Sequence, residues 1–490
     1  MSVNKIGTDE WVSQIEARRR QQHPWIAAIR DAWTRLPRLV RLLLVVVIPV
    51  IIPLLTTNTY ILQVLAYAWL YAALATGLNI VVGYTGMLDL GYVAFFGLGG
   101  YVYAMLSSPH FGLHVPTLIS LPVIALIGAA AGYLLGMPSL RLTGDYLAIV
   151  TLGFGQIFYN LTNVMNAVQV PWSSTPINVT GGPNGIPQVD PIALLGWQAS
   201  QVRDYYYLLL GTLALVMLIV FRLNRSRIGR AWRAIREDGL AADAMGIPTR
   251  RLKLLSFAIG ASIAGVCGAI FVASQQSVFP SNFDVSLLIA LYAMVVLGGV
   301  GSLPGMVAGS LVITILPEVL RPGQALDFLN GTELNALVFY GGVLAFLALV
   351  IRPRWQIVAI LIAVIVAGFA LRAGIHAIDP SVLEPEVSGK GLNAVIQNWL
   401  AIPDGKRIAT AWGNLLFFFG VGVLVALTRL PKRIRPLLLG VALYLLAFVW
   451  ETRLSQEPSI TRLLLVGAIL VIMMNYRPQG IFGQRRVEVV

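Results

Sequence analysis

The chain has 490 residues, of which 57% are hydrophobic and 12% charged, with a mean hydropathy of +0.78. Soluble domains are about 45–50% apolar and about 25% charged, so the composition excludes an ordinary soluble globular protein. One cysteine, Cys267, excludes a disulfide framework and a thiolate metal site and reads as a small buried apolar residue. The net charge of +13 does not require nucleic acid, because membrane proteins gather Lys and Arg on their cytoplasmic side.

The first 40 residues are polar, contain Arg18-Arg19-Arg20 and lack the apolar core and small-residue cleavage site of a signal peptide. Trp25, Ile26, Ile29, Trp33 and Leu36 recur at helical spacing with Arg30, Arg35 and Arg38 between them. That pattern predicts a helix in the inner membrane interface, with a solvated basic tail as the alternative. Apolar runs approaching the roughly 20 residues that span a bilayer then follow. They lie at 40–57, 60–82, 87–106, 116–137, 144–165, 205–221, 254–273, 286–300, 303–320, 333–351, 355–374, 411–428, 435–450 and 461–475. With a cytoplasmic N-terminus, the segments 1–41, Arg141, 222–253, 352–354, 429–435 and 476–490 lie inside. They hold 27 of the 35 basic residues, as the positive-inside tendency requires. The expected fold is all-α and polytopic, with 14 transmembrane helices and both termini cytoplasmic. Helices are required because an open sheet cannot satisfy its backbone in lipid. The expected divisions are an interfacial or cytoplasmic segment 1–39, a core 40–321, an inserted helical region 322–458, and a terminal helix with a basic tail at 459–490.

Gly83-x-x-Gly86 opens a run that includes Gly91, Gly97, Gly99 and Gly100. A related pattern returns 215 residues later at Gly298-x-x-Gly301, Gly305 and Gly309. Small residues let membrane helices approach closely and also permit broken helices beside a cavity. Gly83, Gly86, Gly91, Gly298, Gly301 and Gly305 are therefore packing candidates, and 83–100 reads as continuous, re-entrant or broken. The polar groups in these runs are Asn79, Asp89, Asp145, Gln156, Asn160 and Asn163. Polar and ionisable groups at membrane depth are costly and mark function by default. Asn79, Asp89, Asp145, Gln156 and Asn160 are thus candidates for a polar path through the membrane. Asp145, after Thr143-Gly144, has helix capping as its alternative, and Asp89 has solvation at an interface.

Arg222 to Lys253 carries nine Lys or Arg and three acidic residues. Within it, Leu240-Ala241-Ala242, three further residues, Gly246 and then Pro248 keep a distinctive spacing. It is that of the EAA-x3-G loop by which ATP-binding cassette importer subunits grip their ATPases, with Leu in the place of Glu. Arg236, Glu237, Leu240, Ala241, Ala242 and Gly246 are the docking candidates. No GxxxxGK[ST], HExxH or GxSxG occurs, and His23, His110, His114 and His376 form no ligand set. The chain also lacks the ladder of membrane acids and bases used by proton-coupled carriers.

Five collinear blocks carry a family resemblance: GLNIVVGYTGMLDLGYVAFFGLGGY (77–101), LRLTGDYLAIVTLGFGQI (140–157), TGGPNGI (180–186), RIGRAWRAIREDGLAADAMGI (227–247) and VVLGGVGSLPGMVAGSLV (295–312). With RPQGIFG at 477–483, they resemble the second permease of branched-chain amino acid ABC importers. The resemblance implies an inner-membrane subunit that pairs with a homologous permease, two cytoplasmic ATPases and a periplasmic amino-acid-binding protein. ATP and Mg would belong to those ATPases, leaving this chain without a cofactor, catalytic residues or a metal. Membrane lipid, not nucleic acid, would surround it. Its implied substrates are leucine, isoleucine and valine, with urea, short amides or aromatic acids as alternatives within the family. An autonomous secondary carrier or channel is the alternative from another class. Gln156 departs from the Glu of the family's TLGFGEI block. A second departure lies between LPEVLR (316–321) and the terminal helix, where about 130 residues hold four further spans and a mixed-charge loop at 375–410. The expectation is thus a family-like core of about 10 helices plus about 4 more.

Overall fold

The computed structural model describes residues 37–139 except 57, 144–169, 176–319 except 195, 354–383, 398–405, 435–449 and 480–482, with short stretches between them. The expected spans 333–351 and most of 461–475 lie outside the described residues, as does the interfacial segment 1–36. The chain divides into two units, 1–62 and 63–490. In the first, helix α1 (Arg38–Leu55) starts after Pro37, whose ψ of 146° is extended, not helical, and it accommodates Pro49 and Pro53. Asn58 Oδ1 then accepts the N–H of Tyr60 at 3.0 Å, capping the first turn of α2 (Thr59–Asn79).

The second unit is helical throughout its core. Helix α2 runs on into a π-helical turn at Ile80–Tyr84, after which the chain turns at Gly86 and restarts as α3 (Tyr92–Leu106). The 83–100 stretch is therefore broken, and the span expected from residue 87 begins five residues later. Next come α4 (Thr117–Ser139), α5 (Asp145–Val164) and α6 (Val202–Arg225). Two short amphipathic helices, α7 (Arg227–Glu237) and α8 (Gly239–Ala244), precede α9 (Thr249–Gln275). The core closes with α10 (Val285–Gly298) and α11 (Leu303–Val319). Helices α12 (Arg354–Ile378) and α13 (Arg435–Val449) follow. Among the described residues, six helices are long and apolar enough to cross a membrane, and three shorter apolar helices accompany them.

Side-chain caps fix several helix starts. Asp204 Oδ2 accepts the N–H of Gln201 at 2.9 Å in a capping box on α6. Asp284 Oδ1 accepts from Ser286 and Leu287 at the start of α10. Asp145 occupies the first position of α5 and makes no side-chain cap, since the preceding residue, Gly144, is the cap position.

Helix α9 lies at the centre, buried along most of its length, while α4, α5 and α6 leave most of their surface exposed. Close approach depends on small residues: Gly99 of α3 sits against the Gly265 backbone, Gly268 against Phe96, and Gly128 and Gly132 of α4 against Ala261 and Phe257. Between helices immersed in lipid such contact yields dispersion energy that bulkier side chains would prevent. Gly298, Gly305 and Gly309 join α10 to α11 in the same way. Phe96, Phe271, Phe283 and Tyr101 fill the space beside α9, with ring centroids 5.4 Å apart for Phe96–Phe271, 5.3 Å for Phe96–Phe283 and 5.9 Å for Tyr101–Phe283. Cys267 is buried in the same helix, as its sequence setting predicts.

The end of the core remote from α7 and α8 is closed by loops. β1 (Ser107–Ser108) pairs with β2 (Leu113–His114), β3 (Ile186–Pro187) with β6 (Ser277–Val278), and β4 (Ala193–Leu194) with β5 (Trp197–Gln198). The Asp190 N–H donates to the Ser107 carbonyl at 2.7 Å, and the Asp190 carboxylate meets His114 Nδ1 at 2.6 Å. Toward the C-terminal part of the chain, Leu400, Ile402, Ala447 and Phe448 form a separate small core. Arg372 of α12 donates to the Leu400 carbonyl at 2.9 Å, and Trp399 Nε1 to Ile365 at 3.0 Å.

Candidate functional site

The loop between α6 and α9 is built as a rigid bracket. Ser226 Oγ caps α7 through the Gly229 N–H, and Trp232 is fully buried with its Nε1 donating to the Leu252 carbonyl at 2.9 Å. Ile235 is buried beside it. Asp238 ends α7 and caps α8, its Oδ1 accepting from Leu240 at 2.9 Å and from Ala241 at 3.0 Å. Thr249 Oγ1 donates to Asp243 at 2.7 Å, tying α8 to the start of α9. On this bracket Ala242 faces inward, while Leu240 and Met245 are 84% and 83% exposed. Two large apolar side chains are thus left uncovered at one corner of the bracket. Glu237 and Ala241 are also exposed. Gly246 has φ +82°, and among the described residues nothing lies within 4 Å of where its Cβ would be. Its requirement within this chain is the left-handed backbone that ends α8, not crowding.

Arg236 differs from the other docking candidates. It is half-buried, and its Nη1 donates to the carbonyl of Gly83 in the π-turn. A Cβ on Gly86 would meet Arg236 Cγ at 3.0 Å, and one on Gly301 would meet Arg236 Nη1 at 3.1 Å. Asn79 is fully buried, and its Oδ1 accepts the Gly301 N–H at 2.8 Å. A Cβ on Gly83 would lie 2.9 Å from Gly301 N. The two related glycine segments thus meet face to face. A third strand of chain joins them: Ile481 and Phe482 donate their N–H groups to the carbonyls of Leu297 and Gly298 at 2.8 and 3.0 Å. The terminal motif therefore satisfies the otherwise open C-terminus of α10.

The six glycines assigned to helix packing divide by role. Gly83 and Gly91 make close approaches, Gly91 to the Thr151 carbonyl of α5, and Gly298 and Gly305 pack α10 on α11. Gly86 and Gly301 instead occupy turns with φ of +72° and +91°. Asp89 is 1% exposed, which overturns the interface-solvation alternative. Tyr292 clasps its backbone, accepting from its N–H at 3.1 Å and donating to its carbonyl at 2.8 Å, while Oδ1 accepts from Gly91 at 3.0 Å. The five polar candidates do not form one cluster. Asn79 and Asp89 are buried near the helix break, whereas Asp145 and Asn160 are exposed along α5 and Gln156 is half-buried. Asn163 Nδ2 donates to the Tyr159 carbonyl of its own helix at 2.8 Å. Sequence reasoning missed Tyr292, Met245 and the Ile481–Phe482 clasp. RPQGIFG was visible as a terminal motif, but nothing in it indicated a partner.

Residues 60–348 match the family described as branched-chain amino acid transport system / permease component. The chain is 38% identical over 308 residues to the high-affinity branched-chain amino acid transport system permease protein LivM of Escherichia coli (strain K12), covering 58% of this chain and 67% of that one. It is 27% identical over 258 residues to the high-affinity branched-chain amino acid transport system permease protein LivH of the same strain, covering 50% and 80%. A probable branched-chain amino acid transport permease protein LivM of Methanocaldococcus jannaschii is 26% identical over 255 residues, covering 48% and 68%. No solved structure matches the chain. With the family match extending over more than half of its length and across the bracket, the break and the glycine-packed helices, the chain belongs to the family of permease components of branched-chain amino acid transport systems, as a multi-pass, non-catalytic membrane subunit.

Proposed function

We propose that the chain forms one half of the membrane pathway of an ATP-driven importer in a bacterial inner membrane, carrying leucine, isoleucine and valine from periplasm to cytoplasm. One observation carries this reading: the bracket exposes Leu240 and Met245 at the end of the core that holds the helix break. Glu237, Leu240, Ala241 and Gly246, backed by the buried Ala242, form the surface on which one of two cytoplasmic ATPases docks; these bind ATP and Mg. A homologous permease completes the pathway, a reading supported by the likeness to both LivM and LivH of one organism. A periplasmic amino-acid-binding protein delivers substrate to the looped end around Asp190. Closure of the ATPases moves α8 and switches the pathway from outward to inward access.

The proposed topology has 14 transmembrane helices and both termini in the cytoplasm. Residues 1–39 lie at the inner interface, 40–321 form the core, 322–458 are an insertion, and 459–490 return a terminal helix and basic tail to the cytoplasm. Asn79 and Asp89, buried at the helix break in this conformation, come to line the inner part of the pathway when it opens, and Asp145, Gln156 and Asn160 line it along α5. Purification of the tagged chain from its native membrane should bring down both ATPases and the companion permease. Single cysteines near 190 and 390 should label from the periplasm, and those near 230–250 and 485 from the cytoplasm. Cytoplasmic labelling at 390 would overturn the four-span insertion, and recovery of the chain without ATPases would overturn the importer reading.

A further inference from the structure

Arg236 stands on the bracket but faces away from its exposed corner. Its guanidinium reaches the π-turn of α2, where Nη1 donates to the Gly83 carbonyl, and its stem runs beneath Gly86. Gly301 covers the same guanidinium from the other side and is held there by Asn79. One side chain thus joins the bracket to both halves of the helix break. Trp232 and Ile235 are buried on the same helix, and Trp232 ties it to the Leu252 carbonyl of α9. A charge-assisted bond from a planar guanidinium is directional, and a lysine ammonium cannot reproduce its geometry. π-turns inside helices concentrate at functional positions, and discontinuous membrane helices line transport pathways.

We infer that Arg236 is the positioning residue that transmits movement of the α7–α8 bracket to the helix break at Gly83–Gly86 and Gly299–Gly301, and that it does not grip the ATPases. The inference rests on the importer reading. It predicts that coupling and docking separate: Arg236 governs what the membrane helices do after the bracket moves, and Leu240 and Met245 govern whether the ATPases bind.

The test uses the complete complex in proteoliposomes, with Arg236→Gln, Arg236→Lys and Gly83→Ala. The last adds a methyl against Asn79 Oδ1 and Gly301 N without touching the loop. The expected result is normal ATPase co-purification and sustained ATP hydrolysis, with leucine uptake reduced about tenfold in Arg236→Gln and Gly83→Ala. Arg236→Lys should be intermediate. Where Arg236→Gln does not accumulate in the membrane, Gly83→Ala carries the same comparison with Arg236 in place. Loss of the ATPases from Arg236→Gln, or unchanged uptake in Arg236→Gln, overturns the inference. Nitroxides on Leu88→Cys and Pro304→Cys, both exposed beside the break, give a readout independent of substrate. ATP with Mg should change their separation in the otherwise unaltered complex and leave it unchanged with Arg236→Gln; an equal change in both contradicts the inference. Absence of leucine uptake by the unaltered complex, with the nitroxide response intact, would count against the proposed substrate and not against Arg236.

Discussion

Asn79 accepts the backbone N–H of Gly301 at 2.8 Å across 222 residues of sequence. This bond fixes the relative position of two glycine segments whose similarity is visible in the sequence but whose meeting is not. Replacing Asn79 with Leu keeps an apolar helix apolar and removes the acceptor. A part-buried N–H left without a partner costs about 1–3 kcal/mol. The purified Asn79→Leu protein should therefore melt several degrees below the native one by nanoscale scanning fluorimetry. An unchanged Tm would show that Gly301 finds another acceptor.

Gly246 makes a conformational demand. Its φ of +82° lies in the left-handed region, and the surrounding space is open. A β-carbon there costs about 1–2 kcal/mol, whereas Asn tolerates the region better than other side chains. Uptake should rank Gly246 above Gly246→Asn, and Gly246→Asn above Gly246→Ala. Equal failure of the Asn and Ala variants would locate the demand in a crowded docked complex.

The fold was legible where physics acts locally. Apolar length located the described membrane helices, and the basic clustering at 222–253 located the bracket, because both signals are properties of contiguous sequence. Residues 83–100 were ambiguous because glycine serves packing and turns equally well; Gly83 and Gly86, three residues apart, do one each. The site was legible only in outline. Arg236 reads from the sequence as a docking residue of the loop, and its inward reach depends on Gly83 and Gly301, far away in sequence. Asp89, a path candidate, has solvation as its alternative because it adjoins a predicted helix end, yet it is buried and Tyr292 holds its backbone. The same separation hid the role of Ile481 and Phe482.

Leu240 and Met245 should dominate docking, since large exposed side chains on a rigid corner make the most of a complementary groove. Leu240→Asp and Met245→Asp should each lower ATPase association about tenfold or more in pull-down titrations. Membrane insertion should be unaffected, because both side chains are largely exposed among the described residues. Native ATPase binding by the double variant would move the docking surface elsewhere.

The terminal clasp adds two backbone hydrogen bonds at the end of α10, each worth about 1 kcal/mol. A Cβ on Gly480 would sit 2.5 Å from the Gly299 Cα, so Gly480→Val should unseat the segment. Limited proteolysis from the cytoplasmic face should then release the tail faster than in the native protein. Equal protection in the two proteins would mean that the clasp holds without that close approach.

The most direct test of the account is uptake of radiolabelled leucine by proteoliposomes containing this chain, its companion permease, both ATPases and the amino-acid-binding protein. Accumulation should require internal ATP with Mg and external binding protein, and excess isoleucine or valine should suppress it. Leucine accumulation that proceeds equally without ATP, or that persists when this chain is left out, would contradict the account.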